Sequence, residues 1–280
     1  MTDRLADELR RDVYTLAGTI GERNLINAPE AYDDAARFLA DAFRGMGYTP
    51  KIDDAANVEA ETRGGDEIVV VGAHYDTVPG SPGADDNASG VAALLAIARR
   101  FAGQQMRRTL RLVAFTNEEP PYFTTEQMGS WIYAKRCHER RERVVAMLSI
   151  EAIGYYSDAP RSQQYPAMLE SIYPTTADFI AFTSNLGSRA LLERCAAVFR
   201  RHASIRCEAG ALPEDIPGIA WSDQWSFWRF GYEAVMVTDT ALFRNPHYHE
   251  RSDLPDTLDY ERLAQTTEGL IAVVRDLTAE

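Results

Sequence analysis

The chain has 280 residues, of which 45% are hydrophobic and 25% are charged, and its formal net charge at pH 7 is −13. This length and composition are ordinary for a soluble globular protein with one large hydrophobic core, and they do not require a second domain. The negative charge argues against nucleic acids and anionic membranes as partners, because such polyanions bind basic surfaces.

The amino-terminal segment MTDRLADELRRDVYTLAG carries charges throughout, so it lacks the apolar core of a secretory signal. No apolar run in the chain approaches the ~20 residues that a membrane-spanning helix needs. The cysteines, Cys137, Cys195 and Cys207, have neither metal-ligand nor redox spacing, and we expect buried, reduced thiols. These features predict a cytoplasmic protein.

Helical and strand patterns alternate along the chain. The helical patterns cover 29–48, 87–103, 126–141, 187–203 and 260–277, and the strand patterns cover 66–74, 109–119, 144–154 and 232–241. Near-continuous apolar strands separated by helices predict an α/β fold, with a mostly parallel central sheet and helices on both faces. Two irregular stretches, around 155–180 and 207–221, suit a substrate pocket better than a linker. We therefore predict a single domain spanning residues 1–280.

Chemically active side chains follow the predicted strands at the points where the strands end. The residues in these positions are His74 after VVVGA, Glu118 and Glu119 after LVAFTN, Glu151 after MLSI, and His247 and His249 in the loop LFRNPHYHE. The loop after His74 adds a further group of carboxylates, which includes Asp76, Asp85 and Asp86. Because ligands gather at the carboxyl ends of strands in an open α/β sheet, we expect these side chains to converge there.

Imidazole and carboxylate groups in this arrangement are typical of a site for two divalent cations. In such sites a carboxylate bridges two ions that lie ~3.5–4 Å apart, and zinc accepts both histidine nitrogen and carboxylate oxygen. Bound ions bring the pKa of a water molecule towards about 7, and a nearby carboxylate can then move its proton to a leaving amine. The pair Glu118-Glu119 offers one ligand and one general base, and Asp76 is placed to accept the other N–H of His74.

Five segments of the chain together resemble a known enzyme family. They are HYDTV, PGADDNASG, FTNEE, SIEAIGYY and NPHYHERSDLPDTLDY, within a region from about residue 30 to residue 276. This set resembles the co-catalytic di-zinc aminopeptidases, which include bacterial leucyl aminopeptidases and aminopeptidase Y. Glutamate carboxypeptidase II and glutaminyl cyclase are more distant relatives. The resemblance implies a zinc exopeptidase-like fold.

The resemblance also implies a role for each matched residue. The implied ligands of two divalent ions, expected to be zinc, are His74 and Glu151 for the first, Glu119 and His249 for the second, and Asp86 as the bridge. Glu118 would be the general base, and Asp76 would orient His74. Cobalt and manganese are also compatible with this set of ligands.

Several positions keep alternative interpretations. The choice of Asp86 over Asp85, and of His249 over His247, rests on the resemblance, and Asp85 is expected to cap a helix. Relatives often have Ser-Asp-His where this chain has Ser222, Asp223 and Gln224, so the role of Gln224 stays open.

Other polar and aromatic residues receive weaker interpretations. We expect Asp239, Asp253, Asp256 and Asp259 to be turn and capping residues, and one of Tyr155 and Tyr156 to lie near the substrate.

The favoured function is an aminopeptidase that acts on peptides or small amino-acid derivatives. A carboxypeptidase would need a basic cluster, for which Arg161, Arg244 and Arg251 are candidates. A glutaminyl cyclase-like acyl transferase on the same fold is a further alternative, and a non-catalytic binding domain ranks last because all five ligands and the base are present. The side-chain preference and the oligomeric state stay open.

Overall fold

Eight strands form one mixed sheet in the computed structural model, which describes residues 2–279. The strands are β1 Lys51–Ile52, β2 Val58–Thr62, β3 Gly65–His74, β4 Arg108–Phe115, β5 Arg143–Glu151, β6 Phe179–Ser184, β7 Arg206–Ala211 and β8 Ala234–Thr238. Their order is β1-β2-β4-β3-β5-β8-β6-β7. The neighbours β4, β3, β5 and β8 run parallel, whereas β6 is antiparallel to β8.

Helices cover both faces of the sheet, as the sequence predicts. They are α1 Thr2–Val13, α2 Pro29–Gly45, α3 Gly90–Phe101, α4 Gly129–Glu139, α5 Arg189–His202, α6 Gln224–Arg229 and α7 Tyr260–Ala279. The larger core contains apolar residues of α1, α2, α3, α5 and α7, and the smaller one, on α4 and α6, includes Tyr133 and Phe227. None of these helices is both long enough and apolar enough to cross a membrane.

The outer strands differ from the sequence prediction. The stretch around 155–180 was predicted to be irregular, but β6 begins at its end, and β7 occupies the start of the second stretch, 207–221. The short strands β1 and β2 were also missed. The physical reason is that β1 and β7 are edge strands with several partly or fully exposed residues, so they lack the continuous apolar runs of central strands.

The loop before α3 departs from the predicted helix that starts at residue 87. A π-helical turn, Ala84–Ser89, precedes the α-helix, and Asp86 within it has non-helical angles, with φ −108° and ψ 91°. The Asn87 side chain ties this turn to the end of β5, because it donates to Ile150 O at 2.8 Å and accepts from Ala152 N at 3.0 Å. A Cβ at Gly90 would lie 2.2 Å from Asn87 Oδ1, so this close packing requires glycine.

All three cysteines are buried and form no disulfide, which confirms the sequence prediction. Burial raises the pKa of Cys137, of Cys195 and of Cys207 to about 12. Because the thiolate is the reactive form, these thiols are inert at neutral pH.

Candidate metal centre

The predicted metal ligands converge at the carboxyl ends of three adjacent parallel strands. His74 and Glu151 are the last residues of β3 and β5, and Glu119 follows β4, which ends at Phe115. Asp86 enters from the turn Ala84–Ser89, and His249 enters from the loop after β8. Parallel strands place their carboxyl ends at one edge of the sheet, so residues far apart in the chain become neighbours here.

Asp86 lies between the two histidines, with one carboxylate oxygen facing each. Its Oδ1 is 3.2 Å from His74 Nε2, and its Oδ2 is 3.1 Å from His249 Nε2. On the first side, Glu151 Oε2 is 3.3 Å from His74 Nε2. On the second side, Glu119 Oε1 is 3.3 Å from His249 Nε2. The five side chains therefore form two half-sites that share Asp86.

The donor atoms of this cluster fit a divalent cation. Ligand atoms of His74, Asp86 and Glu119 all lie within 4.8 Å of one another. Asp86 Oδ1, Glu119 Oε1 and His249 Nε2 are buried, yet they have no hydrogen-bond partner in the described part of the chain. Buried polar atoms that stay unpaired cost free energy, and convergent lone pairs of nitrogen and oxygen are the ligands that zinc accepts.

The cluster also holds more negative charge than its surroundings neutralise. Burial, together with the charge of Asp86, raises the pKa of Glu119 to about 8. Burial likewise raises the pKa of Glu151. Against the effect of burial, the nearby Glu151, Asp76 and Asp86 carboxylates raise the pKa of His74 well above its usual value. The two histidines instead lower the pKa of Asp86 against the effect of burial. A carboxylate such as Glu119, whose pKa is raised to about 8, favours a site that binds an additional cation.

Glu118 differs from the ligands in its surroundings. Its carboxylate Oε2 lies 3.9 Å from His74 Nε2, and the side chain is buried. Burial raises the pKa of Glu118 well above its usual value, and the neighbouring charges of Glu119 and Glu151 add to this effect. A raised pKa suits a carboxylate that must both take up and release a proton at neutral pH.

Asp76 makes more contacts than the sequence predicted. Its Oδ1 lies 3.5 Å from His74 Nδ1, which is closer, at 3.2 Å, to the backbone oxygen of Asp76 itself. The carboxylate also accepts the backbone N–H groups of Glu118 and of Glu119, both at 3.1 Å. Asp76 therefore connects the loop after β3 to the segment that carries the predicted base and one predicted ligand.

Asp253 was predicted to be a turn or capping residue, and its side chain binds the backbone of a distant turn. The side chain is fully buried. Its carboxylate accepts the backbone N–H of Asp85 at 2.9 Å and that of Asp86 at 3.2 Å. Asp253 therefore fixes the backbone of Asp86, the predicted shared ligand, a role that no sequence motif indicated.

Ser222 and Arg23 support the centre and were also missed. The Ser222 hydroxyl donates to Glu151 Oε2 at 2.5 Å. The guanidinium of Arg23 is fully buried and donates to five backbone carbonyls, those of Leu16, Gly21, Tyr75, Pro82 and Gly83. These bonds join the amino-terminal segment to the loop between His74 and Asp86. Contacts to backbone carbonyls have no side-chain partner that a sequence pattern could reveal.

The remaining polar candidates lie outside the cluster. Asp85 accepts the backbone N–H of Gly154 at 2.8 Å and the Asn245 amide at 2.7 Å. His247 Nδ1 lies 2.9 Å from Ser252 Oγ. The Gln224 amide donates to the carbonyl of Ile219 at 3.0 Å. The contacts of Asp85 join separate loops, whereas those of His247 and Gln224 are local.

Asp239 and Tyr156 likewise bond to parts of the protein away from the metal ligands. The buried Asp239 accepts the backbone N–H groups of Tyr155 and Ala241, at 2.8 and 2.7 Å. The buried Tyr156 hydroxyl lies 2.9 Å from Thr266 Oγ1.

A cavity with an empty volume of about 830 Å³, open to solvent, lies beside Glu151. Its walls are mainly apolar and aromatic. Tyr155 and Tyr156 are not among the residues that line this cavity. Tyr248 lines the cavity instead, and its ring stacks on His249 with 3.8 Å between the ring centroids. The cavity therefore begins at the metal centre and extends away from it.

Comparison with known proteins identifies a family model that covers most of the chain. Residues 56–274 match the model of peptidase family M28. The matched region contains the five predicted ligands together with Glu118 and Asp76.

Two curated proteins are similar in sequence to this chain. The chain is 33% identical over 285 residues to the Escherichia coli protein YfbL, described as uncharacterized, and the match covers 96% of this chain and 87% of YfbL. It is 27% identical over 234 residues to a probable leucine aminopeptidase of Arthroderma otae, covering 79% of this chain and 56% of that protein. The chain thus spans little more than half the length of such leucine aminopeptidases.

Solved structures share the fold at low sequence identity. LapB from Legionella pneumophila superposes with a TM-score of 0.77 at 18% identity, covering 100% of this chain and 75% of LapB. BSAP, a zinc aminopeptidase from Bacillus subtilis, gives a TM-score of 0.74 at 15% identity, covering 98% and 95%. The glutaminyl cyclase of Tannerella forsythia gives 0.69 at 16% identity, covering 97% and 98%.

Proposed function

The chain belongs to peptidase family M28, and we propose that it is a zinc-dependent aminopeptidase that removes N-terminal residues from peptides. The observation that carries this proposal is the pair of half-sites joined by Asp86, with a cavity that opens beside Glu151. The leucine aminopeptidases among the similar proteins support the same reaction.

We assign the metal ligands as two sets. His74 and Glu151 would hold one ion, Glu119 and His249 would hold the other, and Asp86 would contact both. Bound zinc ions polarise a scissile carbonyl and lower the pKa of a water molecule.

Glu118 is the proposed general base. It is buried near His74, no side chain neutralises it through a hydrogen bond within residues 2–279, and its pKa is raised by burial. In the proposed reaction its carboxylate takes the proton of the attacking water and then passes it to the leaving amine nitrogen. Asp76 keeps the Glu118 backbone in place through the bond at 3.1 Å.

The charge of the site favours an aminopeptidase over a carboxypeptidase. None of the residues that line the cavity is Lys, Arg or His. Of the three arginine candidates, Arg161 and Arg251 are exposed, and Arg244 is buried and donates to Gln163 and to the carbonyl of Phe179. A C-terminal carboxylate would find no basic partner in this cavity, whereas a cationic amine suits its carboxylates.

The composition of the centre also favours a peptidase over a glutaminyl cyclase-like acyl transferase that works with one ion. His74 and Glu151 form the first half-site beside Asp86, in addition to the second half-site of Glu119 and His249. Metal analysis separates the two, because the proposed aminopeptidase should bind two ions per chain. One ion per chain, together with cyclisation of N-terminal glutamine, would favour the alternative.

The substitution Glu118→Gln tests the proposed base. We expect kcat to fall about 100- to 10,000-fold, since proton transfer by a placed side chain contributes rate factors of this size. Bound zinc, measured by mass spectrometry of the metal content, should stay at the wild-type level because Glu118 is not an assigned ligand.

Glu126→Gln is the matched control, since Glu126 is exposed in the same segment. It should leave both kcat and metal content unchanged. A Glu118→Gln enzyme with wild-type kcat would exclude Glu118 as the base.

A substrate panel tests the direction of cleavage. Hydrolysis of aminoacyl 4-nitroanilides and of C-terminally amidated peptides should proceed, and N-acetylation of the same peptides should abolish it. Cleavage of N-acetylated peptides from their C-terminus would refute the aminopeptidase assignment.

A further inference from the structure

The floor of the cavity is a row of residues that crosses four strands. Glu151 on β5 pairs with Thr238 on β8, Thr238 pairs with Ala181 on β6, and Ala181 pairs with Glu208 on β7. All four residues line the cavity. Because adjacent strands lie ~4.8 Å apart, Glu208 is about 14 Å across the sheet from Glu151.

The two residues between these carboxylates leave space above the sheet. Thr238 and Ala181 are small, and the next row contributes Gly210, opposite Thr183. A Cβ at Gly210 would lie 2.4 Å from the Tyr173 hydroxyl, so a larger residue would collide with the cavity wall. The small residues of the floor therefore leave a channel above the sheet. It starts at Glu151, a proposed metal ligand, and ends at the carboxylate of Glu208.

The cavity combines this carboxylate with aromatic and apolar walls. Glu151 and Glu208 are its charged lining residues, and both are acidic. Tyr165 and Tyr173, with ring centroids 5.9 Å apart, form the wall near Glu208. Burial raises the pKa of both phenols, and the charge of Glu208 adds to this effect, which Arg244 opposes at Tyr165. Aromatic faces and a carboxylate both attract cations, while the apolar walls suit a methylene chain.

Glu208 keeps bonding capacity for a ligand. Its Oε1 lies 3.3 Å from Arg206 Nη2, and Arg206 also contacts Asp178 at 3.2 Å. Of these three side chains, Glu208 alone is among the residues that line the cavity. Within residues 2–279, Glu208 Oε2 accepts no hydrogen bond from a side chain, and 27% of the side chain is exposed.

A purely apolar side chain would suit the walls but not the end of the channel. It would displace water from Glu208 without offering a partner, and desolvating an ionised carboxylate is unfavourable. A lysine or arginine side chain supplies both the apolar chain and the terminal cation. These are also the longest of the charged side chains, as the distance to Glu208 requires.

We propose that Glu208 is a specificity residue that binds the cationic end of a lysine or arginine side chain at the N-terminus of the substrate. The inference rests on the proposed aminopeptidase function, because the substrate backbone must lie at the metal centre for its first side chain to enter the channel. Peptides with basic N-terminal residues are then the preferred substrate class.

The test compares substrates that differ by the cation alone. With the zinc-loaded wild-type enzyme, kcat/KM for lysyl 4-nitroanilide should exceed that for norleucyl 4-nitroanilide about 10- to 100-fold, as expected for a charge-assisted hydrogen bond. Likewise, kcat/KM for the arginyl substrate should exceed that for the citrullinyl substrate. In Glu208→Gln the lysyl-to-norleucyl ratio should fall towards one, and Glu208→Asp should restore part of it.

Glu193→Gln provides the matched control, since Glu193 is exposed on α5, away from the cavity lining. Its ratio should equal that of the wild type. An enzyme that prefers norleucyl substrates, or a Glu208→Gln variant with an unchanged ratio, would overturn the proposal.

A binding measurement separates this proposal from the proposed function. Calorimetric titration with lysinamide and norleucinamide needs no turnover. If neither nitroanilide is hydrolysed, the aminopeptidase function fails, yet tighter binding of lysinamide that is lost in Glu208→Gln would still support the cation site. Equal binding of the two amides would overturn it.

Discussion

The carboxylates at the two ends of strands β3, β4 and β5 have different charged partners. At the amino ends, Glu67 accepts from Arg108 at 2.6 Å and from Arg143 at 2.8 Å, and Glu142 accepts from Arg111 at 2.6 Å. At the carboxyl ends, Asp86, Glu119 and Glu151 have histidines as their charged partners within residues 2–279.

This difference shows in the pKa values of the two groups. A hydrogen bond from Arg108 lowers the pKa of Glu67, and bonds from Arg111 lower the pKa of Glu142 against the effect of burial. Burial instead raises the pKa of Glu119 to about 8. The carboxylates at the amino ends are neutralised by arginines of the same sheet, whereas a cation at the carboxyl ends would offset the raised pKa of Glu119.

Among the changes that test this difference between the two ends, metal removal should have the largest effect on activity. Chelation should lower peptide hydrolysis at least about 1,000-fold, because metal ions stabilise charge in the transition state by several kcal/mol. Zinc should restore the rate, and it should raise the unfolding temperature measured by circular dichroism, since it relieves repulsion at the carboxyl ends. Full activity in protein shown by elemental analysis to be metal-free would contradict a metal centre.

Arg23→Met should have the next largest effect. Arg23 lies close to the metal-site loops but donates to backbone carbonyls, and its removal leaves five of them without this donor. We expect the free energy of unfolding, measured by urea denaturation, to fall by about 3–5 kcal/mol.

Arg37→Met is its control, because Arg37 is 65% exposed on α2, and its unfolding free energy should change by less than about 0.5 kcal/mol. Arg23→Lys keeps the charge but reaches fewer carbonyls, so its loss should be intermediate. Equal stability of the Met and wild-type proteins would show that these bonds contribute nothing.

Asp253→Asn should weaken metal binding without removing a ligand. An asparagine keeps one acceptor oxygen for the backbone N–H groups of Asp85 and Asp86 and loses the other. Affinity for zinc, measured by competition with a chelating dye, should fall about 10- to 100-fold, as for other residues that position ligands. Asp256→Asn, at the exposed contact with Tyr14, should leave the affinity unchanged.

The smallest expected effects are changes in the free energy of unfolding, and they should have opposite signs at the two ends of the strands. In metal-free protein at pH 9, Glu119→Gln should raise the unfolding free energy by about 1–2 kcal/mol, whereas Glu142→Gln should lower it by about 1–3 kcal/mol. Because its folded-state pKa of about 8 lies above the unfolded value, Glu119 lowers stability progressively as pH rises from the unfolded pKa towards 8, and the loss is complete above 8. The gain from Glu119→Gln should therefore shrink at pH 5. If both substitutions lowered the free energy of unfolding, the proposed difference between the two ends would be refuted.

Site residues could be predicted from the sequence where they follow apolar strands, but not where their partners are backbone groups. His74 and Glu151 stand where apolar strands end, and parallel topology sends such positions to one edge, so their convergence followed from the pattern. Asp253 and Arg23 bind backbone groups. Since every residue carries the same backbone atoms, no spacing of residue types could reveal these partners.

The outer strands and the cavity show a second limit. Strand β7 has several partly or fully exposed residues and no continuous apolar run, so its sequence resembles that of a loop. Without β6 and β7 in the predicted sheet, Glu208 could not be aligned with Glu151 across four strands. Its role as a candidate specificity residue came from strand register.

The amino-acid sequence by itself determined the α/β class, the central parallel strands and the residue types of a metal-dependent peptidase, because these depend on local hydrophobic periodicity and on motifs. Tertiary structure alone decided which oxygen of Asp86 faces which histidine, which backbone groups hold the loops, and where the cavity ends. The physical reason is that these features arise from the packing of segments distant in sequence, whose relative positions are set by the whole sheet.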